Sequence, residues 1–339
     1  MNKFELVCKE FNIPCEKIYE NGLRTRVNFA LYKDNGKISY AMFKDKCKIT
    51  DFDTSFICDE IRDFMPKLLE NLDEALKDKL FEIRFFKSFY TLNVLLLYHK
   101  DIKEFKIGNY YEKLSKLTKL KLNIIMQSRK QRIAYPNDIL EHFSNGIKYE
   151  FNDECFIQPS LLMNEKMLEF AISCAKVKPN DDLLELYCGY GNFTLALAPY
   201  FKKVFATELS KKNVEFLNTN CKINNTNNIY TARLKDSEVK DAFNKVRAFN
   251  RLKHINLDDF CFSHILIDPP RCGLGECVEL VKNYDNIIYI SCNPLTAKID
   301  LEKLCKTHEL KRFVLFDQFI NSEHLECGFY LERIKDDRA

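Results

Sequence analysis

What the sequence lacks narrows its reading first. The opening residues, MNKFELVCKEFN, carry no apolar stretch of the kind a secretory signal needs, and no apolar run in the 339 residues approaches the length that spans a bilayer. A cytoplasmic protein with no membrane partner is expected. None of the 14 cysteines forms a C-x-x-C pair, which removes zinc ribbons and ferredoxin-like cluster runs from the leading readings, and no metal is expected. In a reducing compartment most of these thiols should be small buried hydrophobes. The chain has no internal repeat and no low-complexity linker. Its net charge of +3 is too small to argue for nucleic acid, because a basic footprint depends on clustering.

What is present suits two domains. The length and the 46% hydrophobic content support a sizeable core, and a boundary is expected near residue 150. In the first part, Val27 to Tyr32 and Lys37 to Phe43 alternate polar and apolar residues around Lys33-Asp34-Asn35-Gly36, an Asn-Gly hairpin signal. Phe56 to Lys79 has helical spacing, and Leu92 to Tyr98 suits a buried strand. Lys100 to Arg132 concentrates lysine and arginine beside Tyr110 and Tyr111. That segment reads either as an RNA-stacking surface or as a solvated lysine-rich helix face.

From about residue 165 strands and helices alternate, which favours a parallel sheet covered on both faces. Strands are expected at Asp182 to Tyr187, Lys203 to Thr207, His264 to Ile267 and Ile287 to Ile290, and helices at Phe193 to Tyr200 and Lys211 to Asn224. Ligands of such sheets bind beyond the carboxyl ends of the strands. Glu185-Leu-Tyr187-Cys-Gly189-Tyr-Gly191-Asn192-Phe193 follows the first strand and opens a helix, with glycines for a tight turn. Glu208 ends the next strand, where a carboxylate can accept from both ribose hydroxyls. The pattern lacks the third glycine of pyrophosphate binders, so it points to a nucleoside ligand without pyrophosphate, as in S-adenosylmethionine.

Two further turns carry chemistry. Asp268-Pro269-Pro270-Arg271-Cys272-Gly273 ends the third strand, its prolines fixing the backbone. Arg271 stands where methyltransferases acting on exocyclic amines commonly place a stacking aromatic, which disfavours amine methylation. Ser291-Cys292-Asn293-Pro294 presents a cysteine at a strand end, where a cation such as Arg271 could favour the thiolate. Phe316 to Gly328 is rich in polar residues and precedes a final strand, Phe329 to Glu332, while its His324-x-Glu326 pair lacks further ligands for a metal.

Together these motifs resemble the tRNA (uracil-5-)-methyltransferase family. The resemblance covers E-L-Y-C-G-x-G-N-F, D-P-P-R-x-G, I-I-Y-I-S-C-N-x-x-T and F-D-Q-F-x-x-S-x-H-x-E. It extends to Phe156-Ile-Gln158-Pro159 and Val246-Arg-x-Phe-Asn-Arg251, and more loosely into the first half. It implies an α/β fold: a Rossmann-like S-adenosylmethionine-dependent methyltransferase domain, residues 151–339, behind a smaller α+β RNA-binding domain, residues 1–150. It implies that Gln158, Tyr187, Asn192, Glu208 and Asp268 contact the cofactor, that Cys292 is the nucleophile and that Glu326 is the base. The implied product is 5-methyluridine at position 54 of the tRNA T loop, with the T-loop-like hairpin of tmRNA a second substrate and no obligate protein partner. Ile320 and Asn321 stand where the family usually has proline followed by Gln, His or Tyr, so the loop before Glu326 loses a backbone restraint. Cys8, Cys15, Cys47 and Cys58 lack the ligand spacing of the iron-sulfur relatives that act on ribosomal RNA, which favours tRNA. The alternatives are a ribosomal RNA uridine C5-methyltransferase and a tRNA-binding protein that remodels the T arm.

Overall fold

Short, almost wholly buried apolar runs build the sheet that organises the C-terminal half. The computed structural model describes residues 2–335, and they form two compact units. The first comprises residues 2–22, 144–149 and 162–335. Its strands, numbered in chain order, are β1 (Lys17–Tyr19), β2 (Asp182–Leu186), β3 (Lys203–Thr207), β4 (Ile229–Ala232), β5 (Phe262–Ile267), β6 (Asn286–Ser291), β7 (His308–Phe316) and β8 (Glu326–Arg333). They pair in the order β1-β7-β8-β6-β5-β2-β3-β4. All neighbours are parallel except β8, which is antiparallel to both β6 and β7. Helices α1 (Lys3–Phe11), α2 (Leu161–Cys174), α3 (Asn192–Leu197), α4 (Lys211–Ile223), α5 (Asp236–Phe243) and α6 (Pro294–Leu304) complete the principal elements.

This is the doubly wound arrangement expected from the sequence. The chain leaves β2 for β3 and β4 on one side and returns to β5 on the other, so a crevice opens at the carboxyl ends of β2 and β5. The strands expected at 182, 203, 264 and 287 all form. The helix expected over 193–200 ends its regular part at Leu197 and finishes as a 3₁₀ turn containing Pro199, a residue without the N–H that a longer helix would use.

The second unit comprises residues 23–143 and 150–161. Its seven-stranded sheet runs in the order Cys47–Ile49, Lys37–Lys44, Arg26–Asp34, Leu80–Lys87, Thr91–Tyr98, Lys121–Gln127, Arg132–Tyr135. The expected hairpin forms, with Asn35 at φ 46° and Gly36 at φ 79° between paired Asp34 and Lys37. Two left-handed residues in a two-residue loop match the twist of the flanking strands. The helical region expected over 56–79 is two helices, Asp59–Asn71 and Glu74–Lys77, and Thr91–Tyr98 is buried throughout. The lysine-rich segment is no continuous helix face: it is divided between helix Gly108–Ser115 and strands Lys121–Gln127 and Arg132–Tyr135. Arg132 turns inward to Asp138 (3.0 Å) and Asp153, and Tyr111 packs edge-on to Tyr135.

The two units do not divide at residue 150: residues 2–22 and 144–149 group with the sheet unit, while 150–161 group with the other. The cause is long-range pairing that no local pattern announces. Strand β1 adds to the edge of β7, with Tyr19 opposite Phe316, and α1 sets Phe11 against Phe313 (5.2 Å) and Phe329 (5.4 Å). A capping box between Asn2 and Glu5 starts α1, and left-handed Asn12 ends it. No helix of the described residues is long and apolar enough to cross a membrane. We expect Phe11→Ala to cost the sheet unit about 3 kcal/mol, read as a lower denaturant midpoint; an unchanged midpoint would show that α1 contributes nothing to that core.

Candidate active site

The carboxyl end of β2 turns sharply into α3. Tyr187, Gly189 and Gly191 all adopt positive φ, at 61°, 56° and 94°. Glycine is required at 191 in particular, since a Cβ there would stand 2.5 Å from Leu217 Cδ1. Glu208, just past β3, accepts from the backbone N–H of Gly189 (3.1 Å) and of Ser210 (2.7 Å). Its carboxylate is thereby fixed beside the turn while each oxygen keeps a further lone pair. The Tyr187 hydroxyl donates to Asp236 Oδ2 at 2.8 Å. The Asn192 side chain exchanges two hydrogen bonds with Asn164, at 2.7 and 2.9 Å, so its amide is committed within the fold.

The second group of residues is assembled by the antiparallel insertion of β8. Ser291 at the end of β6 pairs with Cys327, and Phe316 at the end of β7 pairs with Glu326. Cys292 and Glu326, the next residues along the two chains, follow this pair at the same edge of the sheet, and the Glu326 charge acts on the Cys292 thiol. An antiparallel strand is required for this, because only it begins at the edge where its parallel neighbours end. The Cys292 turn is tied to the Asp268 turn through one carbonyl: Arg271 O accepts from Asn293 Nδ2 (3.0 Å) and Thr296 Oγ1 (3.2 Å). Beneath them, buried Asp300 accepts from the Tyr289 hydroxyl (2.7 Å) and Leu274 N (2.9 Å). A cavity of ≈ 1000 Å³ opens at these turns, lined by Arg271, Cys292 and Asn293 together with Lys3 and Glu10 of α1.

The electrostatics are dominated by buried acids. Glu326 is 2% exposed and accepts from Gln318 Nε2 at 2.8 Å. Burial and the neighbouring Asp268 charge push it up to about 8, against the opposing pulls of Gln318 and Arg271. Glu185 is fully buried, with no hydrogen bond to either carboxyl oxygen among the described residues. Burial drives it to about 8, lowered somewhat by the Thr194 hydroxyl and raised by Asp268. Asp268, part of whose surface still faces solvent, is also raised by desolvation, to about 7. Cys292 is half-buried and pushed up to about 11 by burial, Glu326 and Asp268. Arg271 does act to lower it, as expected from the sequence, but is outweighed.

Six of the seven residues singled out from the sequence therefore lie in the sheet unit: Tyr187, Asn192, Glu208, Asp268, Cys292 and Glu326 line the strand ends. Gln158 is buried in the other unit, within 150–161. Sequence reasoning assigned no role to Glu185, Gln318 or Lys3. The first two stand inside quoted motifs, and a carboxylate in the middle of a buried strand was the available signal for Glu185; Lys3 carried none.

The family model for tRNA (uracil-5-)-methyltransferases matches residues 1–334. The chain belongs to the tRNA (uracil-5-)-methyltransferase family. The tRNA/tmRNA (uracil-C(5))-methyltransferase of Campylobacter lari is 47% identical over 325 residues, covering 94% of this chain and 93% of the relative. That of Aliarcobacter butzleri is 39% identical over 335 residues, covering 94% and 88%. Among solved structures, the Pyrococcus abyssi tRNA (uracil-54, C5)-methyltransferase in complex with S-adenosyl-L-homocysteine superposes with a TM-score of 0.72 at 17% identity, over 97% of this chain and 81% of that one. The fold is thus the Rossmann-like methyltransferase fold expected.

The raised acids make stability depend on pH. A carboxyl with a higher pKa folded than unfolded holds extra protons in the folded state, so its contribution is present below the unfolded value and lost as pH rises through the folded one. Glu185 and Glu326 give this window as about pH 4.5 to 8. Glu185→Gln should flatten the fall in Tm across the window; a variant with the wild-type slope would show that Glu185 ionises freely.

Proposed function

We propose that this chain forms 5-methyluridine at position 54 of the tRNA T loop, and in the T-loop-like hairpin of tmRNA, with S-adenosylmethionine as methyl donor. Cys292 is the nucleophile and Glu326 the base. The observation that supports the reading is the β6–β8 pairing of Ser291 with Cys327, beyond which Cys292 and Glu326 are the next residues, with the Glu326 charge acting on the Cys292 thiol. The C. lari relative's name supplies the tRNA and tmRNA substrates, and the P. abyssi neighbour holds the demethylated product of the donor.

The residues present fit that donor. Around the strand ends stand Glu185, Asp268 and Glu326, all raised by burial, with the Asp268 charge acting on the other two and Arg271 acting on Glu326 and Cys292. Such a site is short of positive charge and suits a cationic ligand. Glu208 is placed to receive ribose hydroxyls, and the Gly189–Gly191 turn allows close approach. Asp268 would hold the donor at the end of β5, and the expected contacts of Tyr187 and Asn192 come from the same unit. When bound, S-adenosylmethionine supplies an electrophilic methyl carbon that an activated uracil C5 can take.

Activation is the work of Cys292. C5 of uracil is a poor nucleophile, but attack of the Cys292 thiolate on C6 forms a C6–S bond and shifts the C5–C6 π pair toward O4, leaving an enolate. After methylation C5 carries both a methyl group and its original hydrogen. Glu326 takes that proton, the C5–H pair restores the double bond, and the C6–S pair returns to sulfur. A carboxyl raised to about 8 is matched to proton transfer near neutral pH. Uridine C6 is shielded in a folded RNA, so the base must leave the stack. We assign the grip on the T arm to the second unit, whose groove of ≈ 640 Å³ is lined by Phe81, His99, Lys100, Arg129 and Lys130, with Phe81 and His99 stacked at 3.9 Å.

The test is transfer of labelled methyl to unmodified tRNA transcript with the product nucleoside identified. Wild type should yield 5-methyluridine, Cys292→Ala none with cofactor affinity retained, and Glu326→Gln a covalent RNA–protein adduct. Label appearing in ribosomal RNA alone would overturn the substrate; a Glu326→Gln enzyme of normal turnover would overturn the base.

A further inference from the structure

The N-terminal residues, expected to belong with an RNA-binding half, pack instead against the loop that leads to Glu326. Lys3, in the first turn of α1, donates from Nζ to Asp317 Oδ1 (2.7 Å), Phe319 O (3.1 Å) and Ser322 O (3.1 Å). An ammonium has three N–H donors, so a single six-residue stretch occupies all of them. The ion pair is sheltered, with side-chain exposures of 18% for Lys3 and 10% for Asp317. Asp317 is held by the same N-terminal segment through its backbone, donating to Tyr19 O (2.7 Å) and accepting from Gly22 N (3.1 Å). Its Oδ1 also accepts from Phe319 N (3.1 Å).

Within the loop so gripped, Ser322 donates from N and Oγ to Phe319 O, at 3.1 and 3.0 Å. The loop contains no proline, and Asn321 sits at φ 63°, a region that asparagine tolerates better than most side chains. Its second residue, Gln318, is buried and donates to Glu326 Oε1. Lys3 thus holds Asp317 by its carboxylate and Phe319 by its carbonyl, on either side of the residue that binds the Glu326 carboxyl, and α1 lines the cavity that contains Cys292.

We infer that Lys3 is a positioning residue for Glu326, acting through the Asp317–Ser322 loop to set the carboxyl for removal of the C5 proton. The inference rests on the reading of Glu326 as the base. Attack by Cys292 and methylation precede that proton transfer and do not need Glu326. Displacing the carboxyl should therefore slow only the last step, in which the C5–H bond breaks, C5=C6 reforms and the C6–S pair returns to Cys292. The methylated adduct would accumulate. A purely structural ion pair would alter melting and leave this partition unmoved.

The experiment uses the full chain, unmodified tRNA transcript and labelled S-adenosylmethionine, with Lys3→Met, Lys3→Arg and Glu326→Gln beside wild type. Single-turnover methyl transfer, steady-state kcat, the covalent fraction on a denaturing gel and the melting curve are recorded. Lys3→Met should lower kcat about tenfold, raise the covalent fraction several-fold and leave methyl transfer and the KM for the donor near wild type, with Lys3→Arg recovering most of kcat. If Glu326→Gln accumulates adduct while Lys3→Met shows wild-type kcat and covalent fraction, the inference falls and the base stands. If Glu326→Gln turns over normally, the base reading falls and takes the inference with it. Should Lys3→Met fail to fold, Asp317→Asn removes the charge from the other side and keeps a carbonyl acceptor; the same adduct is expected, and a wild-type gel would overturn the inference.

Discussion

The active-site arrangement depends on one register, the antiparallel pairing that brings Ser291 opposite Cys327. A sheet of parallel strands gathers their carboxyl ends on one edge but delivers no strand start there. Inserting β8 antiparallel between β6 and β7 makes its first residue, Glu326, meet the turn that follows β6. A slip of one residue would turn Glu326 to the other face of the sheet and remove it from Cys292. The register is pinned from both sides by buried aromatics, Phe329 lying stacked on Phe313 at 5.0 Å and beside Tyr289 at 5.9 Å. Core packing in the body of the sheet therefore sets the chemistry at its edge.

The turns themselves are held by hydrogen bonds between motifs far apart in sequence. The Arg271 carbonyl receives Asn293 and Thr296, so the prolines after Asp268 and the cap of α6 form one rigid corner. Asp300 supports that corner from α6, and it comes close enough to Gly273 that a Cβ there would lie 2.7 Å from its Oδ2. Gly273, at φ 76°, is thus required both by conformation and by the approach of a buried carboxylate.

The parts legible in the sequence were those with local signatures. The Asn35-Gly36 hairpin, the glycine turn after β2 and the short apolar strands each carry their cause within a few residues. The ordered motifs around Asp268, Cys292 and Glu326 identified the family before any geometry was known. What was not legible depends on distance along the chain. Nothing in Lys17-Ile18-Tyr19 announces pairing with Val314 to Phe316, and nothing in Lys3 announces Asp317, so no local pattern ties residues 2–22 to the sheet they pack on. Arg132 read as part of a basic patch because sequence cannot show that Asp138 and Asp153 neutralise it. The effect of Arg271 on Cys292 was read in the right direction. The burial and the two acids that outweigh it become visible only when the strands are assembled.

Those acids give the site its resting state. Glu185 and Glu326 are buried and raised to about 8, and the Cys292 thiol is raised by its own burial first and then by Glu326 and Asp268. A neutral thiol is a weak nucleophile and resists adventitious alkylation and oxidation. A cation entering the crevice would offset the charges of Glu326 and Asp268 that act on the thiol, while the burial that raises it most remains. Under the proposed function that cation is the sulfonium of the methyl donor. Charge then links the Cys292 thiol to occupancy of the donor site through Glu326 and Asp268, and burial sets the part of its shift that no ligand removes.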